Sequence, residues 1–129
     1  ADKFDRFIVD APCSGSGTWR RSPDAKYRLT PKQLKAIEQA QTEILDIAAK
    51  HVADNGRIIY MTCSVLPEEN ERRIETFLQK YPEFSPVNMK NLWERKLVQN
   101  YPFAETRWLK CSPLLTGTDG FFVCVLQKK

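Results

Sequence analysis

Two short apolar runs in the first half of the chain are typical of buried β-strands. The first covers residues 7 to 9 within a strand predicted over 4 to 9, and the second covers residues 58 to 61 within a strand predicted over 57 to 61. The segment between them repeats apolar residues at steps of three and four, which predicts an amphipathic helix. A strand, a helix and a second strand in this order predict a right-handed crossover with the two strands parallel.

The long helix has a clear predicted beginning and end. Thr30 is a good N-cap residue and Pro31 suits the first helical position. Asn55-Gly56 predicts the end of the helix. The predicted apolar stripe comprises Leu34, Ile37, Gln41, Ile44, Leu45, Ala48 and Val52.

The second half of the chain gives weaker patterns. Proline and clustered acids at residues 67 to 71 predict the start of a second helix, which Tyr81-Pro82 ends. Residues 121 to 126 predict a strand because they form a short continuous apolar run after the turn at Thr118-Asp119-Gly120. Between these elements we predict a short strand at 84 to 87, irregular structure at 88 to 104 and a short strand or loop at 107 to 111.

Length and composition narrow the class of protein. A chain of 129 residues that is 42% hydrophobic is one domain or part of one. No stretch approaches the roughly 18 consecutive apolar residues that a membrane span requires. The polar start resembles no secretory signal and leads directly into a strand, which suggests a piece of a longer protein. We therefore expect a cytoplasmic protein that has no membrane partner.

The four cysteines do not form a metal-binding or disulfide pattern. They stand at positions 13, 63, 111 and 124, without a CxxC pair, and the single histidine is His51. Zinc sites use tighter ligand spacing, and disulfide frameworks belong to exported chains. We expect reduced thiols and no bound metal, with Cys111 and Cys124 serving as small apolar packing residues.

The two remaining cysteines occupy matching positions in the predicted crossover. Cys13 follows the first strand after Asp10-Ala11-Pro12, and Cys63 follows the second strand after Thr62. Parallel strands end at the same edge of a sheet, where open α/β folds place their ligands. Neighbouring strands lie roughly 5 Å apart. The sequence therefore predicts one site that contains two thiols.

A basic segment follows the first cysteine. Residues 19 to 35 contain six basic side chains and one acid, interleaved with Trp19 and Tyr27. Basic and aromatic side chains together suit phosphates and unstacked bases. A solvated surface beside a helix is the competing interpretation.

Two motifs resemble those of a known family. Residues 10 to 17, DAPCSGSG, resemble the first cysteine motif of RNA cytosine-5 methyltransferases of the Sun (Fmu) type, and residues 60 to 64, YMTCS, resemble their second. Glu69-Asn70-Glu71 and the ending TDGFFV at 118 to 123 fit the same family in the same order. The resemblance implies the C-terminal half of a Rossmann-like α/β methyltransferase fold, mostly parallel with an antiparallel last strand.

The resemblance also implies roles for individual residues. Cys63 would be the nucleophile that adds to C6 of cytosine, and Cys13 would assist breakdown of the covalent adduct. Asp10 would contact the base edge or the donor S-adenosylmethionine, and Pro12 would shape the base pocket. Separately from these motifs, Arg20 and Arg21 of the basic segment are our candidates to contact RNA, which we expect to be ribosomal or transfer RNA.

The family's donor-binding elements are missing from this chain. Its five glycines, at 15, 17, 56, 117 and 120, include no glycine-rich turn that follows a strand and opens a helix. We therefore expect residues 1 to 129 to be a partial catalytic domain, from the fourth strand onward, that is inactive alone. The first strand should then expose its outer edge, which favours dimerisation.

Two other functions remain open from the sequence. A base amino-methyltransferase would carry an aromatic residue where Cys13 stands, and it would leave the second thiol unexplained. A non-catalytic RNA-binding module would depend on the basic segment and would bind with a steep salt dependence.

Overall fold

The computed structural model describes residues 3–19, 21, 24, 28–97 and 99–129, with the backbone alone at position 115. The elements follow one another as β1 (Phe4–Asp10), a 3-10 turn (Ser16–Thr18), α1 (Pro31–His51), β2 (Val52–Thr62), α2 (Glu71–Lys80), β3 (Phe84–Pro86), α3 (Met89–Leu97), β4 (Leu109–Cys111), α4 (Pro113–Thr116) and β5 (Phe121–Lys128).

The strands form one mixed sheet with β2 and β5 at its centre. β1 pairs parallel with β2, from Arg6 opposite Arg57 to Asp10 opposite Met61, which confirms the predicted crossover. β5 runs antiparallel to β2 along its length, as expected for the last strand. The short strands β3 and β4 pair antiparallel with the two ends of β5. Parallel pairing in the described residues is thus limited to β1 and β2.

The helix α1 begins where the sequence predicts and ends earlier. The Thr30 hydroxyl accepts a hydrogen bond from the Gln33 backbone N–H, and the Gln33 side chain accepts one from the Thr30 N–H, forming a capping box. The predicted stop at Asn55-Gly56 is wrong, because α1 ends at His51 and β2 begins at once. Asn55 instead lies in the irregular start of β2, where it adopts a left-handed φ of 66°.

Residues 88 to 104 are more ordered than the sequence pattern predicts. Met89–Leu97 is a helix, and the Asn88 side chain accepts a hydrogen bond from the Asn91 backbone N–H at its start. Met89 packs with Tyr101 and Val125 in a buried cluster. The helix is therefore stabilised by contacts with distant parts of the chain, which a local apolar pattern does not show.

Two apolar clusters cover the two faces of the sheet. Alternate residues of β5 point to opposite faces, so that Phe122, Cys124 and Leu126 join the main core while Val125 joins the smaller one. The main core lies beneath α1 and α2, and its members from those helices include Leu45, Ala48, Ile74 and Phe77. The carboxyl ends of β1 and β2 lie side by side, where Asp10 at the end of β1 is exposed and Thr62 at the end of β2 is buried.

None of the helices in the described part of the chain is both long enough and apolar enough to span a lipid bilayer.

Candidate active site

Both predicted thiols lie at the shared carboxyl edge of β1 and β2. The Sγ atoms of Cys13 and Cys63 are 3.1 Å apart, and both residues are half-buried. Two backbone bonds bring their loops together: Ala11 N–H donates to the Met61 carbonyl and Gly17 N–H donates to the Cys63 carbonyl, each at 2.9 Å. Fifty residues of sequence separation thus become one pair of contacting sulfur atoms.

The first cysteine loop also contacts the turn before β5. The Gly120 N–H donates to the Gly17 carbonyl at 2.7 Å. A Cβ atom on Gly17 would lie 2.6 Å from the Gly120 Cα, closer than real side chains approach. Only glycine therefore fits at position 17, and the close approach joins the first motif to the end of the chain.

The environment of Cys63 favours its neutral thiol. Burial, followed by the hydrogen bond with Cys13, raises the pKa of Cys63 from an ordinary 9.0 to about 11. Coulombic interactions with Cys13 and Asp10 raise the pKa of Cys63 further. A thiol is a poor nucleophile, so a reaction at Cys63 requires a group that removes its proton or a ligand that changes this environment.

One buried carboxylate joins the two cysteine loops. Glu69 Oε1 accepts from the Ser14 backbone N–H at 2.7 Å and from the Gln41 side-chain amide at 3.2 Å. Glu69 Oε2 accepts from the Ser14 hydroxyl at 2.7 Å and from the Ser64 hydroxyl. Ser14 and Ser64 each directly follow one of the two cysteines.

Further buried polar bonds hold the second loop. The Thr62 hydroxyl donates to Asn70 Oδ1 at 2.6 Å, and Asn70 Nδ2 donates to the Ser64 carbonyl at 2.8 Å. The hydroxyls of Ser16 and Ser64 are 2.9 Å apart, which adds a second link between the loops.

Sequence reasoning missed the functions of Glu69 and Asn70 in this network. We expected both to begin a helix, and α2 does begin at Glu71, but the two side chains point back to the cysteine loops. The repeated Cys-Ser pair at 13–14 and 63–64 is the signal that could have indicated a shared acceptor.

The remaining predicted site residues are placed less closely around the thiols. Asp10 and Pro12 are exposed at the end of β1, and the Pro12 carbonyl accepts from Gln41 Nε2 at 2.8 Å. Arg21 is 66% exposed and its Nε lies 2.8 Å from Asp119 Oδ2. Arg20 lies outside the described residues.

An open groove lies beside Cys13. Its volume is about 530 Å³, and its lining includes Ser14, Arg28 and Gln33. Of the other cysteines, Cys111 is half-buried and Cys124 is buried. The described residues contain no group of three or more potential ligands that could hold a metal ion.

Solved structures of known proteins define the fold class. The crystal structure of PH0851 superposes with a TM-score of 0.81 at 35% identity, over 96% of this chain and 26% of that protein. NSun6 from Pyrococcus horikoshii, crystallised with SFG, superposes with a TM-score of 0.77 at 24% identity, over 98% of this chain and 30% of that protein. The chain therefore has the Rossmann-like α/β fold of Sun-type methyltransferases.

The family follows from the sequence comparison. Residues 1–127 match the model of the 16S rRNA methyltransferase RsmB/F family, and the chain belongs to that family. It is 39% identical over 128 residues to the probable ribosomal RNA small subunit methyltransferase B of Bacillus subtilis, covering 99% of this chain and 28% of that protein. The corresponding protein of Citrobacter koseri is 39% identical over 127 residues, covering 98% and 27%.

The chain thus spans about a quarter of the length of these curated relatives. The resemblance drawn from the two cysteine motifs is confirmed at the level of the family.

Proposed function

We propose that the protein containing this chain transfers a methyl group from S-adenosylmethionine to C5 of a cytosine in ribosomal RNA. The observation that carries the proposal is the pair of sulfur atoms 3.1 Å apart at the carboxyl edge of β1 and β2. Membership of an rRNA methyltransferase family supports RNA as the substrate. Methylation at C5 needs a nucleophile that adds to the neighbouring carbon, C6, and one of the two contacting thiols can serve as that nucleophile. The other thiol is then close enough to assist its release.

The chemistry requires a reversible covalent bond to the base. C5 of cytosine is a poor nucleophile, and a thiolate that adds to C6 places electron density on C5. S-adenosylmethionine, when bound, supplies the methyl group to C5. Loss of the C5 proton then lets the sulfur–C6 bond break, which restores the aromatic ring and the free thiolate.

We assign the nucleophile to Cys63 and breakdown of the adduct to Cys13. The assignment rests on the resemblance of residues 60 to 64 and 10 to 17 to the two family motifs. The short distance between the thiols supports it, because a group that assists elimination must reach the base attached to its partner. Because the pKa of Cys63 is raised, we propose that substrate or the rest of the protein increases the thiolate fraction during the reaction.

The groove beside Cys13 is the proposed entry for the target nucleotide, which would reach Cys63 next to the Cys13 sulfur, 3.1 Å away. Its volume of about 530 Å³ is within the range of small-molecule pockets. Asp10 would contact the base edge or the donor, and Pro12 would shape the wall of the pocket. Arg20 and Arg21 would contact the RNA backbone, with Arg21 exchanging its ion pair with Asp119 for a phosphate.

The residues of this chain supply only part of a site for S-adenosylmethionine. Gly15 and Gly17 follow β1, but they lead into a 3-10 turn, and the Gly17 backbone is bonded to Cys63 and Gly120. A glycine-rich turn that receives a cofactor needs free backbone N–H groups at the start of a helix. Asp10 is the one proposed donor contact, so we infer that residues 1 to 129 are inactive without the remainder of the catalytic domain.

A trapping experiment on the full-length protein tests the proposed function. RNA that carries 5-azacytosine should form a stable covalent adduct, because no C5 proton can leave after addition. We expect Cys63→Ala to abolish the adduct. With ordinary RNA, Cys13→Ala should instead make an adduct persist, detected as a shifted band on a denaturing gel.

Cys111→Ala is the matched control, because Cys111 is a half-buried cysteine on β4 rather than at the shared edge. It should trap RNA like the wild-type protein. Methyl transfer that survives Cys63→Ala would contradict the proposal and favour amino-methylation. RNA binding without any methyl transfer would favour a non-catalytic module.

A further inference from the structure

Glu69 is a fully buried carboxylate whose hydrogen-bond donors come from both cysteine loops. Ser14 and Ser64 donate their hydroxyls to the same oxygen, Oε2, and each serine is bonded directly to a cysteine along the chain. A displacement of either serine therefore displaces the thiol next to it. The carboxylate is one of the links between the two loops, and it is the one that contacts the residue next to each cysteine.

Because the Glu69 side chain is buried, each of its oxygens needs hydrogen-bond donors from the protein. Removing a charged group from water is costly unless donors replace the lost solvent. Four donors reach the carboxylate from the described residues: two on Ser14, one on Ser64 and one on Gln41. All four are uncharged, so the carboxylate is satisfied only when the first loop, α1 and the second loop are all in place.

We propose that Glu69 is a positioning residue that sets the separation of the Cys13 and Cys63 sulfur atoms through Ser14 and Ser64. Its catalytic consequence rests on the proposed function, in which one thiol adds to the base and the other assists release. Glu69 does not contact the base in this scheme. It fixes the geometry of the two groups that do.

Glu69→Gln is the informative variant. Glutamine preserves the size of the side chain, but it replaces one acceptor oxygen with an N–H donor that faces the serine hydroxyls. Glu68→Gln is the matched control, because its neighbouring carboxylate pairs with Arg72 on the surface of α2. The same chemical change is thereby made one residue away from the cysteine network.

The first readout reports the thiol geometry directly. Diamide oxidises two thiols to a disulfide and itself takes up two electrons and two protons, forming a hydrazine. In the full-length protein, peptide mapping by mass spectrometry should show a Cys13–Cys63 disulfide that forms at a measurable rate. We expect Glu69→Gln to slow this reaction about tenfold, because misplaced groups lose effective concentration. Glu68→Gln should react at the wild-type rate.

The second readout separates positioning from folding. After correction for the folded fraction measured by thermal unfolding, Glu69→Gln should lower kcat about a hundredfold, with the KM for RNA nearly unchanged. A purely structural role would lower the folded fraction and leave the kcat of the folded molecules intact.

An unchanged disulfide rate in Glu69→Gln would overturn the inference, whatever the stability of the variant. If the wild-type protein fails to methylate RNA, the proposed function fails, and the disulfide rate alone still decides whether Glu69 sets the sulfur separation.

Discussion

The thiol of Cys63 is less acidic than an exposed cysteine, and the causes are physical and separable. Burial disfavours the thiolate most, and the hydrogen bond with Cys13 adds to the effect. A thiol held in its neutral form reacts slowly with alkylating reagents, because these reagents attack the thiolate. At neutral pH we therefore expect slow alkylation of Cys63.

We predict that alkylation of Cys63 by iodoacetamide accelerates as the pH rises towards about 11, well beyond the ordinary cysteine range. Quantitative peptide mass spectrometry of the wild-type chain measures the rate at each pH. In Cys13→Ala the midpoint should move to lower pH, because one cause of the raised pKa is removed while burial remains. An unshifted midpoint in that variant would show that Cys13 does not affect Cys63.

The same pKa determines a trend in stability. Between pH 9.0 and about 11 the unfolded chain loses the Cys63 proton while the folded chain retains it. Folding then binds a proton, so this contribution to the free energy of unfolding is complete below pH 9.0 and falls as pH rises through the interval.

At the scale of elements, two loops and a turn meet through backbone contacts. The Gly17 loop bonds both to the loop after β2 and to the turn before β5. Glycine is needed at position 17 because the backbone there passes too close to the backbone of Gly120 for a side chain to fit. The region around the two thiols is thus assembled from the first, middle and last parts of the chain.

We predict that Gly17→Ala destabilises the chain by about 1–3 kcal/mol, because the added methyl group overlaps backbone that has little freedom to move. Gly117→Ala is the control: position 117 has a positive φ of 67°, but an added Cβ there meets no described atom within 4 Å. Urea denaturation should show the larger loss for Gly17→Ala. Equal losses would show that the close approach to Gly120 is unimportant.

At the scale of the whole molecule, β1 is an edge strand without a second neighbour among the described residues. Ile8 on this strand is 65% exposed and Phe4 is 49% exposed. Unpaired strand edges with apolar side chains favour association. Because the chain spans about a quarter of its relatives, we propose that strands of the intact protein cover this edge.

We predict that the isolated chain dimerises through β1 at high concentration. Light scattering should show a mass that rises with concentration, and Ile8→Lys should suppress the rise because charge on an edge strand opposes pairing. Ile47→Lys is the control, since Ile47 is a 50% exposed isoleucine on α1. A monomer at every concentration would contradict the prediction.

The sequence by itself determined the crossover of strand, helix and strand and the position of a cysteine after each of the two strands. Local periodicity and short-range capping predict three features: the helix start at Thr30-Pro31, the apolar runs before Cys13 and Cys63, and the order of the elements. These signals depend on neighbours a few residues apart, so they can be read along the chain.

Tertiary structure alone decided how the site is held. Local acidity predicts a helix start at Glu69, whereas its side chain is buried by Ser14 and Gln41, more than 25 residues away in the sequence. The helix over Met89–Leu97 likewise depends on packing against Tyr101 and Val125. These contacts form only when segments that are distant in the sequence pack together and exclude water. A buried polar group without a hydrogen-bond partner then costs free energy, so the tertiary structure decides which partners it must have.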